Sequence, residues 1–413
     1  MSAHFFLVIT SFLAVPALIG RLPVVSKVLP LVFIQLLCGV ALQLSGGQAW
    51  LLHHGVDLLD GPLASSVQGI GWLGVVLLVA LSSVHPKSDH QNEAPLRFVA
   101  VSVMGFGVTL LVGGLVGWGL VQAYPQLIGE RGTPLLFGAS VGICLAVTAL
   151  PVLVAILKET GLQETRVGRL ALMSALLDDL WLWLGLITVL SLAGVHSGGP
   201  LATLLPVVAF ALAMAFVARP LLDGLFRKVD ALHEGALLGV CVILLSAAVT
   251  DLLGVHAMLG AFIGGAILPQ RAVRQWGPGI SETVKWLLLP VFFVSTGLRL
   301  HIEWGDARFW TLAALFSFTA MATKMLVVAC TARLGGLPWS RSFLLGTLMQ
   351  CKGLMELVAI NILLEARIIS VEVYSALAVM ALFSTFMTAP LLRLWRSRHD
   401  SQESRTADES RAG

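Results

Sequence analysis

The sequence predicts an all-α polytopic membrane protein of about 13 transmembrane helices, with inverted repeats and crossed, discontinuous helices. Three observations lead there. The 413-residue chain is 57% hydrophobic and only 12% charged, with a mean hydropathy of +0.90, far outside the range of soluble globular proteins. Apolar runs long enough to cross a bilayer follow one another along almost its whole length. Within a few of those runs stand ionisable residues at mid-depth, where a charge is costly and marks a cavity, a partner or an ion pathway.

Apolar runs bounded by charges, Gly or Pro place helices, in order, near 4–20, 28–45, 66–85, 97–121, 134–157, 168–194, 201–222, 234–252, 255–270, 283–299, 308–333, 341–365 and 373–395. The first follows MSAH, which lacks the basic region of a secretory signal, so it reads as a retained helix. Lys and Arg alternate between the loops: twenty of the 26 fall in the odd-numbered loops and the tail, four in the others, and Lys324 and Lys352 inside helices. The positive-inside rule then puts the N-terminus outside and the C-terminus in the cytoplasm. That rule accounts for the net charge of +3 without invoking nucleic acid. Residues 1–395 thus read as one integral membrane domain. Residues 396–413, polar and poor in apolar side chains, read as a short disordered tail. Cys38, Cys144, Cys241, Cys330 and Cys351 are scattered without metal-ligand spacing and read as small core residues; neither disulfides nor a resident metal is expected.

The run 168–194 carries the sharpest signal, because Asp178 and Asp179 sit side by side in its middle. A mid-membrane aspartate costs about 3 kcal/mol even on lenient insertion scales. Helical neighbours point about 100° apart, so the two carboxylates must serve different partners. One can face a water-filled cavity and exchange a cation for a proton; the other can turn to a basic residue. Lys324, deep in 308–333, is the best candidate partner for one aspartate, since a pair avoids an isolated buried ammonium. Lys352 and Glu356 stand four apart and can neutralise each other on one helical face, as structural glue or as part of a pathway. Asp251, His53, His54 and His256 lie at predicted ends or in loops and read as ordinary residues there.

Two helices look broken. Pro151 removes a backbone donor in the middle of 134–157, freeing a carbonyl near Val147 and Thr148, so that the Thr148 hydroxyl and the released carbonyls become available to a cation. Gly353, beside Lys352, is a weaker sign of the same in 341–365. Paired discontinuous helices in two halves of a membrane protein suggest a midplane site at the crossing of an inverted repeat.

Three other readings use the same features. A sodium-coupled carrier of an organic anion can share crossed helices, and a channel can line a pore with acids. An intramembrane aspartyl hydrolase needs two carboxylates converging on one water, which adjacent aspartates diverging by about 100° do not provide. No enzyme, cofactor or catalytic residue is expected.

Taken together, VTALPVLVAILKETGLQETRVGRLALMSALLDDLWLWLGL at 147–186, GVHAMLGAFIGGAILP at 254–269, LLLPVFFVSTGLRL at 287–300 and GTLMQCKGLMELVAINILL at 346–364 resemble the monovalent cation/proton antiporter-2 family, relatives of bacterial sodium/proton and potassium/proton exchangers. The resemblance implies a thirteen-helix fold in a bacterial inner membrane, with a mobile core domain (helices near 97–194 and 308–395) and a scaffold that forms a homodimer. It implies elevator-like, electrogenic exchange of a monovalent cation for protons, with no other metal. Asp179 then resembles the ion- and proton-binding aspartate and Asp178 its neighbour. Lys324 matches the lysine that pairs with a core aspartate. Thr148, Ala149, Leu150 and Pro151 correspond to the first unwound crossing, with Lys352 at the second. Ala149 and Leu150 stand where sodium-selective relatives often carry an acid, which leaves sodium, potassium and lithium open.

Overall fold

The computed structural model describes residues 2–22, 31–84, 95–162, 165–194, 199–228, 231–253, 256–300 and 305–412. In chain order the helices are α1 (Ser2–Gly20), α2 (Leu31–Leu44), α3 (Gly47–His53), α4 (Gly61–Ser83), α5 (Pro95–Ala123), α6 (Pro134–Ala146), α7 (Leu150–Thr160) and α8 (Arg166–Leu192). They continue as α9 (Gly199–Ala213), α10 (Arg219–Phe226), α11 (Leu232–Leu252), α12 (Ala257–Ile267), α13 (Gln270–Thr283) and α14 (Leu289–Leu298). The last four are α15 (Ala307–Leu334), α16 (Trp339–Met349), α17 (Leu354–Glu365) and α18 (Val371–Ala412). Among the described residues, eight helices are long and apolar enough to cross a membrane. The shorter α3 escaped the sequence reading because it is too brief to register as an apolar run.

Two compact units divide the chain, Met1–Ser88 with His196–His301, and Asp89–Val195 with Ile302–Gly413. In the first, Val8, Phe12, Val67, Val291, Val294 and Leu298 pack into one buried cluster. Here α9 passes into α10 through a five-residue wide turn, Met214–Ala218, and α13 passes into α14 through another, Val284–Leu288. Each wide turn directly precedes a helix with proline in its first turn, Pro220 or Pro290. A proline ring crowds the carbonyl four residues back and donates no hydrogen bond, and widening the helix there relieves both. The helix expected at 283–299 accordingly begins earlier, at Gln270.

The second unit is built from two sets of the same element order, a long helix, a broken pair and a long helix: α5, α6/α7, α8 and then α15, α16/α17, α18. Its helix starts are capped as their sequences dictate. Thr133 accepts from Leu136 N with Pro134 in the first turn of α6, and Thr165 accepts from Gly168 N at the head of α8. Helices α5 and α6 meet backbone to backbone: a Cβ on Gly142 would strike the Leu110 carbonyl. Small residues permit such close packing where lipid offers no hydrophobic drive. A buried cluster including Val101, Leu153, Leu170, Val328 and Leu348 joins helices from both sets. The loop before α6 is tied to the loop after α17: Gly129 N donates to Ile368 O at 3.0 Å, Arg131 N to Arg367 O at 2.9 Å, and Ser370 N to Leu127 O at 3.1 Å. Nearby, Arg308 of α15 donates twice to the Glu372 carboxylate of α18, at 3.0 and 3.1 Å.

Helix α18 runs on through 396–412 to Ala412; no Gly or Pro interrupts that stretch, and extending an existing helix avoids the cost of nucleation. One expectation needs correction. Cys241 and Cys330 are exposed on their helices, unlike Cys144 and Cys351, which are buried; an apolar thiol suits a membrane-facing surface as well as a core.

Candidate functional site

The polar groups singled out in the sequence converge in the second unit, where two broken helices meet. The first break covers Val147–Ala149, between α6 and α7; the second covers Gln350–Gly353, between α16 and α17. Leu150 and Pro151, expected within the first break, already belong to the first turn of α7. Proline is pre-organised for that position, where its missing N–H costs nothing; its side chain lies outside the described residues. Leu150 is buried in the apolar cluster. The two breaks bond to each other: Ala149 N donates to Cys351 O at 3.1 Å. Gly353 has an extended backbone, and a Cβ there would come within 2.6 Å of Val152 Cγ2. It is therefore close approach to α7, not turn geometry, that calls for glycine.

A helix end leaves its last carbonyls without partners. At the C-terminus of α6 two lysines supply them. Lys352 Nζ donates to Cys144 O at 2.9 Å, Leu145 O at 2.6 Å and Val147 O at 3.0 Å. Lys324 Nζ donates to Ala146 O at 2.6 Å. Two ammonium groups thus sit at the negative end of the α6 dipole, the sign that favours them. The carbonyls expected to be open to a cation are therefore taken, because both lysine side chains reach the crossing.

Asp178 and Asp179 are fully buried on α8, and the structure separates their surroundings completely. Asp178 Oδ2 accepts from Lys324 Nζ at 2.6 Å and lies 2.8 Å from Thr148 Oγ1; Oδ1 accepts from Ser102 Oγ at 2.7 Å. Thr148 Oγ1 also stands 2.6 Å from Met349 O, so its single proton chooses between carboxylate and carbonyl. Phe106, one turn from Ser102 on α5, presents its ring 5.7 Å from the Lys324 ammonium. Asp178 is hence a satisfied, paired carboxylate. Asp179 is the opposite: among the described residues neither of its buried oxygens has a hydrogen-bond partner.

Glu356, in the first turn of α17, is also fully buried. Its Oε2 lies 3.8 Å from Lys352 Nζ, but neither oxygen accepts a hydrogen bond among the described residues. The expected neutralising pair is present as an ion contact, while the three protons of Lys352 go to α6.

Sequence reasoning missed Ser102 and Thr385, and it placed Gln350 at the second crossing without giving it a partner. Gln350 Nε2 donates to Thr388 Oγ1 at 2.8 Å, and Thr385 Oγ1 donates to Lys352 O at 2.5 Å, holding the second break from α18. Small hydroxyls are ordinary in apolar helices, and nothing in the sequence separates these from the many that bond to their own helix. Asp251 is exposed at the end of α11, His54 bonds to Trp50 O, and His256 caps α12; all three have the ordinary roles read from the sequence.

An all-helical membrane unit whose crossed helix breaks flank a buried aspartate pair defines a class of secondary transporter folds. The chain matches the transmembrane sodium/hydrogen exchanger family over residues 8–394, and it belongs to that family. It is 32% identical over 339 residues to cation/H(+) antiporter 17 of Arabidopsis thaliana, an alignment covering 79% of this chain and 40% of that one. With the Na(+)/H(+) antiporter NhaS4 of Synechocystis it shares 31% identity over 264 residues, 62% of this chain and 64% of the other. The alignment thus spans well under half the length of the plant relative. The fold is similar to that of the sodium proton antiporter MjNhaP1 from Methanocaldococcus jannaschii, with a TM-score of 0.66 at 15% identity, covering 95% of this chain and 96% of that one.

Proposed function

We propose that this protein is a secondary active transporter that exchanges a monovalent cation for protons by alternating access, with Asp179 as the carboxylate that carries them in turn. The observation that supports this most directly is the contrast between the two aspartates. Asp178 is held by Lys324, Ser102 and Thr148, whereas Asp179 is buried with no donor on either oxygen among the described residues. A carboxylate in that position needs a proton or a cation, and either one removes the charge that attracts the other. Mutual exclusion at one site is what couples two opposed fluxes.

In this reading Asp178 releases Lys324 when Asp179 fills, and the lysine itself gives up and regains a proton across the cycle; that second proton makes exchange electrogenic. The unit carrying the crossing is the moving core, and the other unit is the scaffold of a homodimer. The Lys and Arg distribution supports an outside N-terminus and a cytoplasmic C-terminus; the membrane itself is read as a bacterial inner membrane. Sodium and potassium are both candidates for the cation.

The test is proton movement in proteoliposomes bearing an imposed pH gradient, on adding sodium, potassium or lithium, for wild type and Asp179→Asn. Collapse of the gradient by a cation in wild type, lost in the variant, is the expected result. Persistence in Asp179→Asn removes Asp179 from the mechanism. Wild-type protein, demonstrably folded, through which no cation moves protons would instead turn attention to sodium-coupled uptake of an organic anion.

A further inference from the structure

The ion contact between Lys352 and Glu356 does not satisfy Glu356. An ammonium has three protons, and those of Lys352 are directed at the carbonyls of Cys144, Leu145 and Val147 at 2.6–3.0 Å. Glu356 stands farther off, at 3.8 Å. An ionised Glu356 would be a buried carboxylate whose two oxygens have no donor among the described residues, the arrangement that costs most in a dry interior. Binding one proton removes that cost without moving a heavy atom.

We infer that Glu356 is a second proton-binding site of the core, holding a proton while Lys352 clamps the end of α6 and releasing it when Lys352 swings to the carboxylate. This inference rests on the transporter reading but concerns a different residue on a different helix. The step balances: the proton leaves Glu356 for the aqueous pathway, and the carboxylate left behind is neutralised by Lys352, which gives up a carbonyl of α6 to reach it. The groups facing Glu356 are few. Lys352 lies beside it, and the Cys144 thiol of α6 is within electrostatic reach. On α18, Glu372 is engaged with Arg308. The ionisable residues of α7, Lys158 and Glu159, belong to its last turn, at the opposite end from the crossing. Since Lys352 bridges the two breaks, proton occupancy at Glu356 reports on whether the crossing is closed.

Infrared spectroscopy of the purified full-length protein, titrated over pH, tests this in an Asp179→Asn background so that Asp179 contributes no signal. The carbonyl stretch of a protonated carboxylic acid is expected in Asp179→Asn, falling as pH rises, and lost in Asp179→Asn/Glu356→Gln. Should the double variant not fold, labelling the single variant with carboxyl-13C glutamate replaces it. The band must then shift with the isotope, Glu356 being the one glutamate among the described residues that is fully buried. A band that is absent, unaffected by the substitution or label, or constant with pH overturns the inference. None of these outcomes bears on Asp179, whose role is decided by the transport assay.

Discussion

At the scale of single residues, adjacent aspartates with opposite surroundings should respond oppositely to mutation. Asp178→Ala leaves the buried Lys324 ammonium with the Ala146 carbonyl as its one hydrogen-bond acceptor among the described residues, and breaking such a pair costs about 3–5 kcal/mol. Thermal unfolding in detergent should show a clearly lowered midpoint. Asp179→Asn removes a charge that no donor holds among the described residues, so the same measurement should find an unchanged or raised midpoint in a variant whose ion exchange, on the proposed reading, is lost. Lys352→Met strips three hydrogen bonds from α6, and, with charged-group bonds worth about 1.5–3 kcal/mol each, its midpoint should fall at least as far as that of Asp178→Ala. The pair itself was legible because two acids in an apolar run are too costly to be incidental. Which acid takes the lysine was not, since helical periodicity says only that they diverge. The second role of Lys352 was hidden too: a partner four residues away suggested a local pair, whereas its protons reach a helix some two hundred positions earlier in the chain.

The crossing is a property of elements, and its tightness is checkable there. Gly353→Ala drives a methyl into Val152, so it should destabilise the protein, and Val152→Ala should recover part of the loss. Neighbours in contact typically couple by about 0.5–3 kcal/mol in such a double-mutant cycle, and strict additivity would contradict the packing described. Both breaks were visible beforehand through Pro151 and the glycine of the second; the first lies near Val147 and Thr148, where proline suggested it, but leaves out Leu150 and Pro151 themselves. Proline removes the donor of its own residue, and a first helical turn does not use that donor, so the ring opens α7 and the unwound residues precede it. The wide turns before Pro220 and Pro290 follow the same chemistry in mid-helix and were not foreseen, since a continuous apolar run reads alike with or without them.

At the scale of the whole molecule, a cation that binds only the folded protein must stabilise it. By mass action the gain is about 2.7 kcal/mol at a hundred times the dissociation constant. Adding the transported cation at a pH where exchange is active should raise the unfolding temperature of wild type and leave that of Asp179→Asn unmoved. The order of helices was readable because the membrane demands long apolar runs at regular intervals; a division into two interleaved units came only with the family resemblance, because such segments carry no mark of their own of which partner they join. The occupied carbonyls at the end of α6 have a consequence for selectivity. Potassium is commonly told from sodium by rings of backbone oxygens that replace its hydration shell. Here Cys144, Leu145, Ala146 and Val147 are already engaged by lysine, so an ion arriving at Asp179 finds no such ring in them and must bring much of its shell as water. Dressed ions differ little in size, and if the protein exchanges cations as proposed, it should accept sodium, potassium and lithium with similar apparent affinity, leaving the gradients across the membrane to choose among them.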